Sequence, residues 1–215
     1  MNGEAVIVDD VAVAFATTVR EAYDKRPNPS FSLALSGGST AASCYEHLAK
    51  EPLDWSVITL LWGDERCVPL SHADSNYALA KQALLDSIPT PAAVHPMRCE
   101  DGAEAYESVV RSVSPLDLIH LGMGDDGHTA SLFPGSPALD APPERLVVAT
   151  GDNLHPHPRM TFTYSTIARA RLAVFTVSGI AKRQMLGRIR QGEHLPAGRV
   201  AAERVIWLVD RAAAA

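Results

Sequence analysis

The feature that most constrains the fold is a regular alternation of short apolar runs with longer amphipathic stretches. The apolar runs are each about the length of a strand, and most place Val, Ile and Leu on consecutive positions. Consecutive apolar residues indicate strands that are buried on both faces, as in a parallel sheet. The predicted strands lie at residues 5–8, 31–35, 57–62, 117–123, 145–150, 172–177 and 205–209.

Segments with the apolar spacing of a helix fill most of the intervals between these runs. Asp9 or Asp10 could cap the first of them. Alternation of strands and helices predicts an α/β fold with a mostly parallel, Rossmann-like sheet flanked by helices on both faces. No internal repeat or linker interrupts the pattern, so we expect a single domain over residues 1–215. The predicted helices lie at 10–25, 39–50, 76–87, 102–113 and 180–191.

The charge balance restricts the class of partner. The formal net charge of −6 argues against a nucleic-acid partner, because a phosphate backbone requires a basic face. A small anionic substrate is compatible with an acidic protein, because the field in a pocket follows local charge. No apolar run approaches the roughly 18 residues of a membrane span. The acidic start MNGEAVIVDD does not resemble a secretory leader, so we expect a cytoplasmic protein. We expect it to be a monomer or a weak homodimer.

Three cysteines and two closely spaced histidines are the candidates for disulfide and metal chemistry. Cys44, Cys67 and Cys99 are odd in number and form no CxxC pair. We therefore expect neither a disulfide framework nor a thiolate zinc site, and a reducing cytosol fits best. His155 and His157 could pair on a metal, but no third ligand stands at a set spacing, so we expect a surface loop.

A turn rich in glycine and serine follows the second predicted strand. The run SGGST comprises Ser36, Gly37, Gly38, Ser39 and Thr40 and leads into a helix-like segment. Glycines allow a sharp turn, and N–H groups at a helix start favour an anion. The turn therefore predicts either a phosphate site or an ordinary capped turn between strand and helix. The P-loop pattern, which would supply a lysine, is absent.

A charged loop follows the third predicted strand. Arg66 suits a phosphate or carboxylate because its planar guanidinium donates two hydrogen bonds at once. Asp64 or Glu65 could orient a base or a sugar hydroxyl. The alternative is a solvated loop in which an Arg–carboxylate pair contributes little. At the end of this loop, Ser75-Asn76 could cap the next helix.

The loop after the fourth predicted strand matches a dinucleotide fingerprint by letter only. Gly122, Gly124 and Gly127 satisfy GxGxxG. That fingerprint requires a full helix after the glycines, and Pro134 would stop the helix after little more than one turn. The acids within the loop would also repel a pyrophosphate, so we predict no nicotinamide cofactor.

A catalytic interpretation fits the same loop better. His128 follows Asp125 and Asp126 at a predicted helix start. An imidazole is the usual general base near neutral pH, and a neighbouring carboxylate can hold its tautomer. The alternative is a capping loop with an incidental histidine. His120 lies inside the preceding strand and is predicted to be a core residue.

Two further cations lie near predicted strand ends. Arg159 opens the strand-like run RMTFTY, and Lys182 lies in the first turn of the helix after residues 172–177. A lysine at that position opposes the helix dipole, which is understandable if an anion binds at the same helix end. The alternative for Lys182 is a solvated surface residue.

Taken together, these runs resemble the 6-phosphogluconolactonase family. They occur in the family's order and span about residues 30–190. The segment NLHPHP before Arg159 departs from the family pattern, which has more prolines. The matching stretches are SGGST at 36–40, DERCVP at 64–69 with SN at 75–76, GMGDDGHTASLFP at 122–134, RMTFT at 159–163 and SGIAK at 178–182.

The resemblance implies a lactone hydrolase that needs neither metal nor cofactor. Its substrate would be 6-phospho-D-glucono-1,5-lactone, opened to 6-phosphogluconate in the oxidative pentose phosphate pathway. Residues 36–40 would hold the phosphate with help from Arg66, Arg159 or Lys182. His128 would activate water, with Asp126 as its partner.

Two alternatives belong to other classes. In a glucosamine-6-phosphate deaminase or aldose–ketose isomerase, which resembles this family, Asp64 would move a proton between carbons. Arg66 directly after Asp-Glu, and TASLFP after His128, favour the lactonase. A sugar-phosphate sensor without catalysis is the other alternative, and the presence of His128 counts against it.

Overall fold

A parallel sheet forms the centre of the structure, a computed structural model that describes residues 1–150 and 156–215. The strands in chain order are β1 (Glu4–Val8), β2 (Phe31–Leu35), β3 (Ile58–Trp62), β4 (Asp64–Arg66), β5 (Ala93–His95), β6 (Leu118–Gly122), β7 (Val147–Ala149), β8 (Arg159–Phe162), β9 (Leu172–Val177) and β10 (Arg204–Asp210). In the described part of the chain, seven strands join in the order β1-β10-β9-β6-β2-β3-β5, and every neighbouring pair is parallel. The predicted fold class is therefore confirmed.

Each predicted amphipathic stretch contains a helix, and three short α-helices of four or five residues in the described part of the chain were not predicted. Asp10 caps the first helix, because its carboxylate accepts from the N–H groups of Ala12 and Val13. The predicted helix at 180–191 begins with a 3-10 turn, Ile180–Lys182. The α-helices are α1 (Val11–Asp24), α2 (Ser39–Leu48), α3 (Asn76–Ala83), α4 (Ala103–Val113), α5 (Tyr164–Ala168), α6 (Arg183–Arg190), α7 (Pro196–Arg199) and α8 (Arg211–Ala214).

The core lies between the sheet and these helices because the central strands expose little on either face. Every residue of β2 and of β9 is buried, as consecutive apolar residues predict. Among the described residues, no helix combines the length and the apolar character that a membrane span requires.

A second, antiparallel sheet differs from the sequence prediction. It has the order β4-β8-β7, so residues 147–149 do not extend the main sheet, and the loop predicted after β3 contains the short strand β4. Gly63 joins the two sheets, because its N–H donates to Leu35 at 2.8 Å and its carbonyl accepts from Phe162 at 2.7 Å. This junction brings β4 and β8 to the carboxyl end of the main sheet.

The loop that carries His128 is also not the predicted helix start. After Gly127 the chain makes turns, and Thr129 and Leu132 form an isolated antiparallel bridge. The N–H of Ser131 donates to the Thr161 hydroxyl at 3.1 Å. This hydrogen bond holds the segment against β8, so the N–H is not used in a helical turn. Neither the helix nor its predicted end at Pro134 exists.

The prediction that the cysteines stay unpaired is wrong. Cys67 and Cys99 form a disulfide with their Cα atoms 5.3 Å apart, and Cys44 is left as a buried thiol. An odd number of cysteines requires only one to remain unpaired. Cys67 follows the β3–β4 segment and Cys99 follows β5, and the neighbouring strands β3 and β5 bring them together.

Candidate active site

The candidate site lies at the carboxyl ends of β2, β3 and β6. From β2 the sheet extends through β3 to one side and through β6 and β9 to the other, and ligands of open α/β sheets bind at such a reversal. A cavity of about 250 Å³ opens there. It is lined by Ser36, Gly37, Gly38, Asp64, Arg66, Asn76, Gly122, Met123, Gly124, His128, Ala130, Ser131, Phe133 and Arg159.

A smaller cavity of about 160 Å³ adjoins the first one. Both are lined by Ser36, Gly37 and Gly38, so the glycine-rich turn forms the wall between them. Ser39, Thr40 and Lys182 line the smaller cavity. An extended ligand could therefore contact both cavities across this turn.

Two properties of the glycine-rich turn depend on glycine. Gly38 has a φ of +95°, which a residue with a side chain rarely adopts. A Cβ atom on Gly37 would lie 1.8 Å from Oδ1 of Asn76. Helix α2 begins at Ser39, and its N-cap residue Gly38 makes no side-chain cap hydrogen bond, so the alternative of an ordinary capped turn is not what the structure shows. The first N–H groups of α2 therefore receive no hydrogen bond from an N-cap side chain.

The carboxylate of Asp64 is buried at the base of the larger cavity. It accepts from the Ser131 hydroxyl at 2.6 Å and from the Asn76 side-chain amide at 3.3 Å. The Asn76 amide also donates to the backbone carbonyl of Asp64 at 2.9 Å. These contacts fix the orientation of Asp64 towards the cavity.

Glu65 points away from the cavity and has a structural role. Its carboxylate accepts from the N–H groups of Asn76 at 2.7 Å and Tyr77 at 2.8 Å, and from the Ser75 hydroxyl at 3.0 Å. Burial raises the pKa of Glu65 even though these hydrogen bonds lower it. Of the two acids considered from sequence, only Asp64 lines the cavity.

Arg66 and Arg159 stand directly opposite each other. The antiparallel register of β4 and β8 pairs these two residues, and both line the larger cavity. Arg66 donates to the Asp74 carbonyl at 2.6 Å, while its Nε is buried and has no hydrogen-bond partner within the described residues. Like charges opposite each other destabilise a sheet. An anion bound between the two guanidinium groups would remove that cost.

His128 is held by the acid that the family resemblance indicates. Its Nδ1 lies 2.5 Å from Oδ1 of Asp126, and the same oxygen accepts from the His128 N–H at 3.0 Å. Burial raises the pKa of Asp126, but the hydrogen bonds and charge of His128 outweigh it and the net pKa is lowered. An ionised carboxylate only accepts, so Nδ1 carries the proton and Nε2 is the basic nitrogen.

The ring of His128 packs between backbone and an aromatic ring. A Cβ atom on Gly124 would lie 2.1 Å from the imidazole, so this position requires glycine. On another side the Phe133 ring centroid is 4.5 Å from that of His128. These contacts restrict the ring to one orientation. Beside it, Ala130 has a φ of +48°, which is uncommon outside glycine.

Asp125 has a different partner from Asp126. Its carboxylate accepts from Nζ of Lys182 at 2.5 Å, and Lys182 lines the smaller cavity. The Asp125 side chain is 80% exposed and that of Lys182 is 25% exposed, so water weakens this ion pair. An anion in the smaller cavity could replace Asp125 as the partner of Lys182.

The structure therefore brings the predicted site residues to one place. Sequence reasoning missed the roles of Asn76 and Ser131, although both lie in stretches that match the family. His157 bonds Asp74 at 2.8 Å, and His155 lies outside the described residues. In residues 1–150 and 156–215, no group of three side chains suited to a metal was found.

Comparison with known proteins agrees with this geometry. Residues 2–207 match the family model described as glucosamine-6-phosphate isomerases/6-phosphogluconolactonase. A 6-phosphogluconolactonase of Synechocystis is 38% identical over 97% of this chain and 92% of its own. The crystal structure of 6-phosphogluconolactonase from Thermotoga maritima is 29% identical, with a TM-score of 0.87 over 98% of this chain and 100% of its own.

A more distant neighbour shares the fold alone. A monomeric glucosamine-6-phosphate deaminase superposes with a TM-score of 0.82 at 20% identity, over 98% of both chains. The family model and the Synechocystis relative each cover nearly the whole chain. The chain therefore belongs to the glucosamine-6-phosphate isomerase/6-phosphogluconolactonase family.

Proposed function

We propose that this protein hydrolyses 6-phospho-D-glucono-1,5-lactone to 6-phosphogluconate. The observation that carries the proposal is the His128–Asp126 pair at 2.5 Å, in a cavity that shares its wall with the glycine-rich turn. This arrangement provides a base for water beside a place for a phosphate. The relatives at 36–38% identity that carry a single activity in their names are 6-phosphogluconolactonases.

The reaction requires a base and then an acid at the same atom. Nε2 of His128 removes a proton from water while the water oxygen attacks the carbonyl carbon C1. The resulting tetrahedral oxyanion collapses, and the bond from C1 to the ring oxygen breaks. The imidazolium then donates the proton that it took from water to the ring oxygen. Asp126 stabilises the imidazolium between these steps. A lactone carbonyl is electrophilic, so no covalent enzyme intermediate is needed.

The phosphate would supply binding energy that holds C1 against the water. In this proposal, Ser36, Gly37, Gly38, Ser39 and Thr40 hold the phosphate with backbone N–H groups and hydroxyls. Arg66, Arg159 and Lys182 supply positive charge around them. Asp64, fixed by its neighbours, would accept a hydrogen bond from a sugar hydroxyl.

The deaminase remains the second candidate because it shares the fold. In that reaction the carboxylate of Asp64 would move a proton between sugar carbons. The observation that favours the lactonase is the named activity of the sequence relatives, whereas the deaminase neighbour is only 20% identical. A sensor without catalysis would have no use for the oriented His128–Asp126 pair.

Wild type and His128→Ala decide between these functions when each is assayed with both substrates. We expect wild type to hydrolyse the phosphorylated lactone and the substitution to lower kcat by about 10²- to 10⁴-fold, the usual contribution of a general base. Circular dichroism and thermal melting check that the variant is folded. Ammonia release from glucosamine 6-phosphate without lactone hydrolysis would overturn the proposal in favour of the deaminase.

The biological setting is a further part of this proposal. We place the reaction in the oxidative pentose phosphate pathway, in the cytoplasm, with a small phosphorylated lactone as the only partner. The expected assembly is a monomer or a weak homodimer, which sedimentation at several concentrations tests. Because Cys67 and Cys99 form a disulfide, the cysteines no longer support the cytoplasm, and this placement rests on the family resemblance alone.

A further inference from the structure

A chain of buried polar side chains lies directly beneath the glycine-rich turn. Tyr45 of α2 is fully buried, and its hydroxyl oxygen lies 3.0 Å from Nδ1 of His120 on β6. On the other side, Nε2 of His120 lies 2.9 Å from the Thr176 hydroxyl on β9. Burying polar groups costs free energy unless each finds a partner, so a network in this core calls for an explanation.

The Tyr45 hydroxyl holds Ser36 on both of its backbone groups. It accepts from the Ser36 N–H at 2.6 Å and lies 3.0 Å from the Ser36 carbonyl oxygen. Ser36 is the first residue of the turn, and it lines both cavities. One side chain therefore fixes the two peptide planes on either side of Ser36.

Counting protons selects one pattern for the network. The Tyr45 hydroxyl has a single proton, and within the described residues it is the donor that the Ser36 carbonyl finds. His120 must then donate from Nδ1 to the Tyr45 oxygen, and Thr176 donates to Nε2. In this pattern every group named has a partner. Phe15 closes the far side, with its ring centroid 4.0 Å from that of His120.

The pattern has a geometric consequence for ligand binding. In a trans peptide the N–H points opposite to the C=O. Because Tyr45 draws the Ser36 carbonyl inward, the Gly37 N–H of the same peptide is turned outward, towards the cavities that Gly37 lines. A backbone N–H aimed in this way suits an anionic oxygen.

We propose that Tyr45, backed by His120 and Thr176, is a positioning residue that aims the Gly37 N–H at the substrate phosphate. The inference rests on the proposed function for the identity of the substrate. Its test measures phosphate binding directly, so it gives an answer even if the protein hydrolyses no lactone.

The first variant is Tyr45→Phe, which keeps the ring and removes the hydroxyl. We expect its affinity for 6-phosphogluconate and inorganic phosphate, measured by titration calorimetry, to fall about tenfold, as loss of one oriented hydrogen bond implies. In the lactonase assay KM should rise by a similar factor while kcat stays within about twofold of wild type, since His128 is untouched.

The matched control is Ser32→Ala. Ser32 lies near the start of β2, the strand that ends just before Ser36. The Ser32 hydroxyl donates to Asp117 at 3.0 Å and accepts from its N–H at 2.9 Å, so the control also removes a buried hydroxyl with two contacts. We expect lower stability and unchanged phosphate affinity. A loss of affinity equal to that of Tyr45→Phe would show that the effect is general loosening and would overturn the proposal.

A second pair of variants tests the donor at His120, and decides the matter if Tyr45→Phe does not fold. His120→Asn can still donate to Tyr45 from a position close to Nδ1, whereas His120→Leu cannot. We expect weaker phosphate binding in His120→Leu and near-wild-type binding in His120→Asn. Equal affinities in the two variants, or wild-type affinity in Tyr45→Phe, would contradict the proposed role.

Discussion

The three cations of the site have different neighbours, but the proposed function gives them the same task. Lys182 contacts Asp125 and lines the smaller cavity, whereas Arg66 and Arg159 line the cavity of His128. In the proposed function all three contact the bound phosphate and not the attacking water. Their replacement should therefore change KM more than kcat.

Lys182→Ala and Arg66→Ala are expected to raise KM for the phosphorylated lactone about tenfold or more, the value of one charge-assisted hydrogen bond. Asp125→Ala should change KM by at most a few-fold and in the opposite direction, because it removes a competitor for Lys182. Lys25→Ala, on the exposed end of α1, is the control. If neither cation variant changes KM or kcat, the phosphate assignment is wrong.

His120 also predicts a pH dependence of stability. Burial lowers the pKa of His120 to about 3 in the folded protein, whereas an unfolded histidine has a pKa of about 6.5. Between these values the unfolded chain binds a proton that the folded chain does not. The free energy of unfolding therefore falls as pH drops below about 6.5, by up to about 1.4 kcal/mol per pH unit.

Urea unfolding at pH 7.5 and pH 5 measures this contribution. We expect wild type to lose about 2 kcal/mol more than His120→Asn over this interval, from one proton bound across about 1.5 pH units. The neighbours that face His120 are Tyr45, Thr176 and Phe15, of which Tyr45 stays neutral because burial raises its pKa further. Equal losses in the two proteins would contradict the prediction.

Among the elements, the segment after β4 is tied down by a covalent link. The Cys67–Cys99 disulfide closes a loop with a sequence separation of 32, and Cys67 directly follows Arg66. Closing a loop of this length lowers the conformational entropy of the unfolded chain, which stabilises the folded protein by about 3–4 kcal/mol. Reduction should therefore destabilise the protein.

Denaturant unfolding of wild type and Cys99→Ser, with and without dithiothreitol, tests this. We expect the oxidised wild type to exceed Cys99→Ser by about 3 kcal/mol and the reduced wild type to match it. Cys44→Ala serves as a control, because Cys44 lies outside the disulfide and its replacement should leave the response to reductant in place. Identical wild-type curves with and without reductant would show that the cysteines are unpaired in solution.

The elements also show which parts of the fold are readable from sequence. Strands β2 and β9 were predictable because a strand buried on both faces is apolar at every position. Strands β4 and β5 have three residues each and carry no such pattern. Residues 147–149 are apolar, but apolarity does not say which sheet a strand joins.

The candidate site was readable only where its residues are neighbours in sequence. The glycine-rich turn and the His128 loop are local motifs, and local patterns predict them. Asp125 and Asp126 look alike in sequence, and their separate partners depend on the turn that the backbone makes. The contact of Tyr45 with His120 joins positions 75 residues apart, so only the folded sheet reveals it.

The whole molecule carries a net negative charge, whereas three cations line its candidate site. The net charge is −6, yet Arg66, Arg159 and Lys182 line the two adjoining cavities. The field in a cavity depends on the charges nearest to it, and among the described residues three cations line these cavities beside one carboxylate, that of Asp64. A locally positive cavity is compatible with an acidic protein that binds a small anion, as the proposed function requires.

The position of β1 has a consequence for how the molecule is made. β1 lies at the edge of the main sheet, where Glu4 pairs with Ile206 of β10, and β10 separates it from β9. During synthesis, domains generally fold from the N-terminus as the chain emerges from the ribosome. Here β1 emerges early but has no partner strand until β10 has been translated. Of the strands of this sheet, β1 is therefore translated before all the others but is the last that can pair.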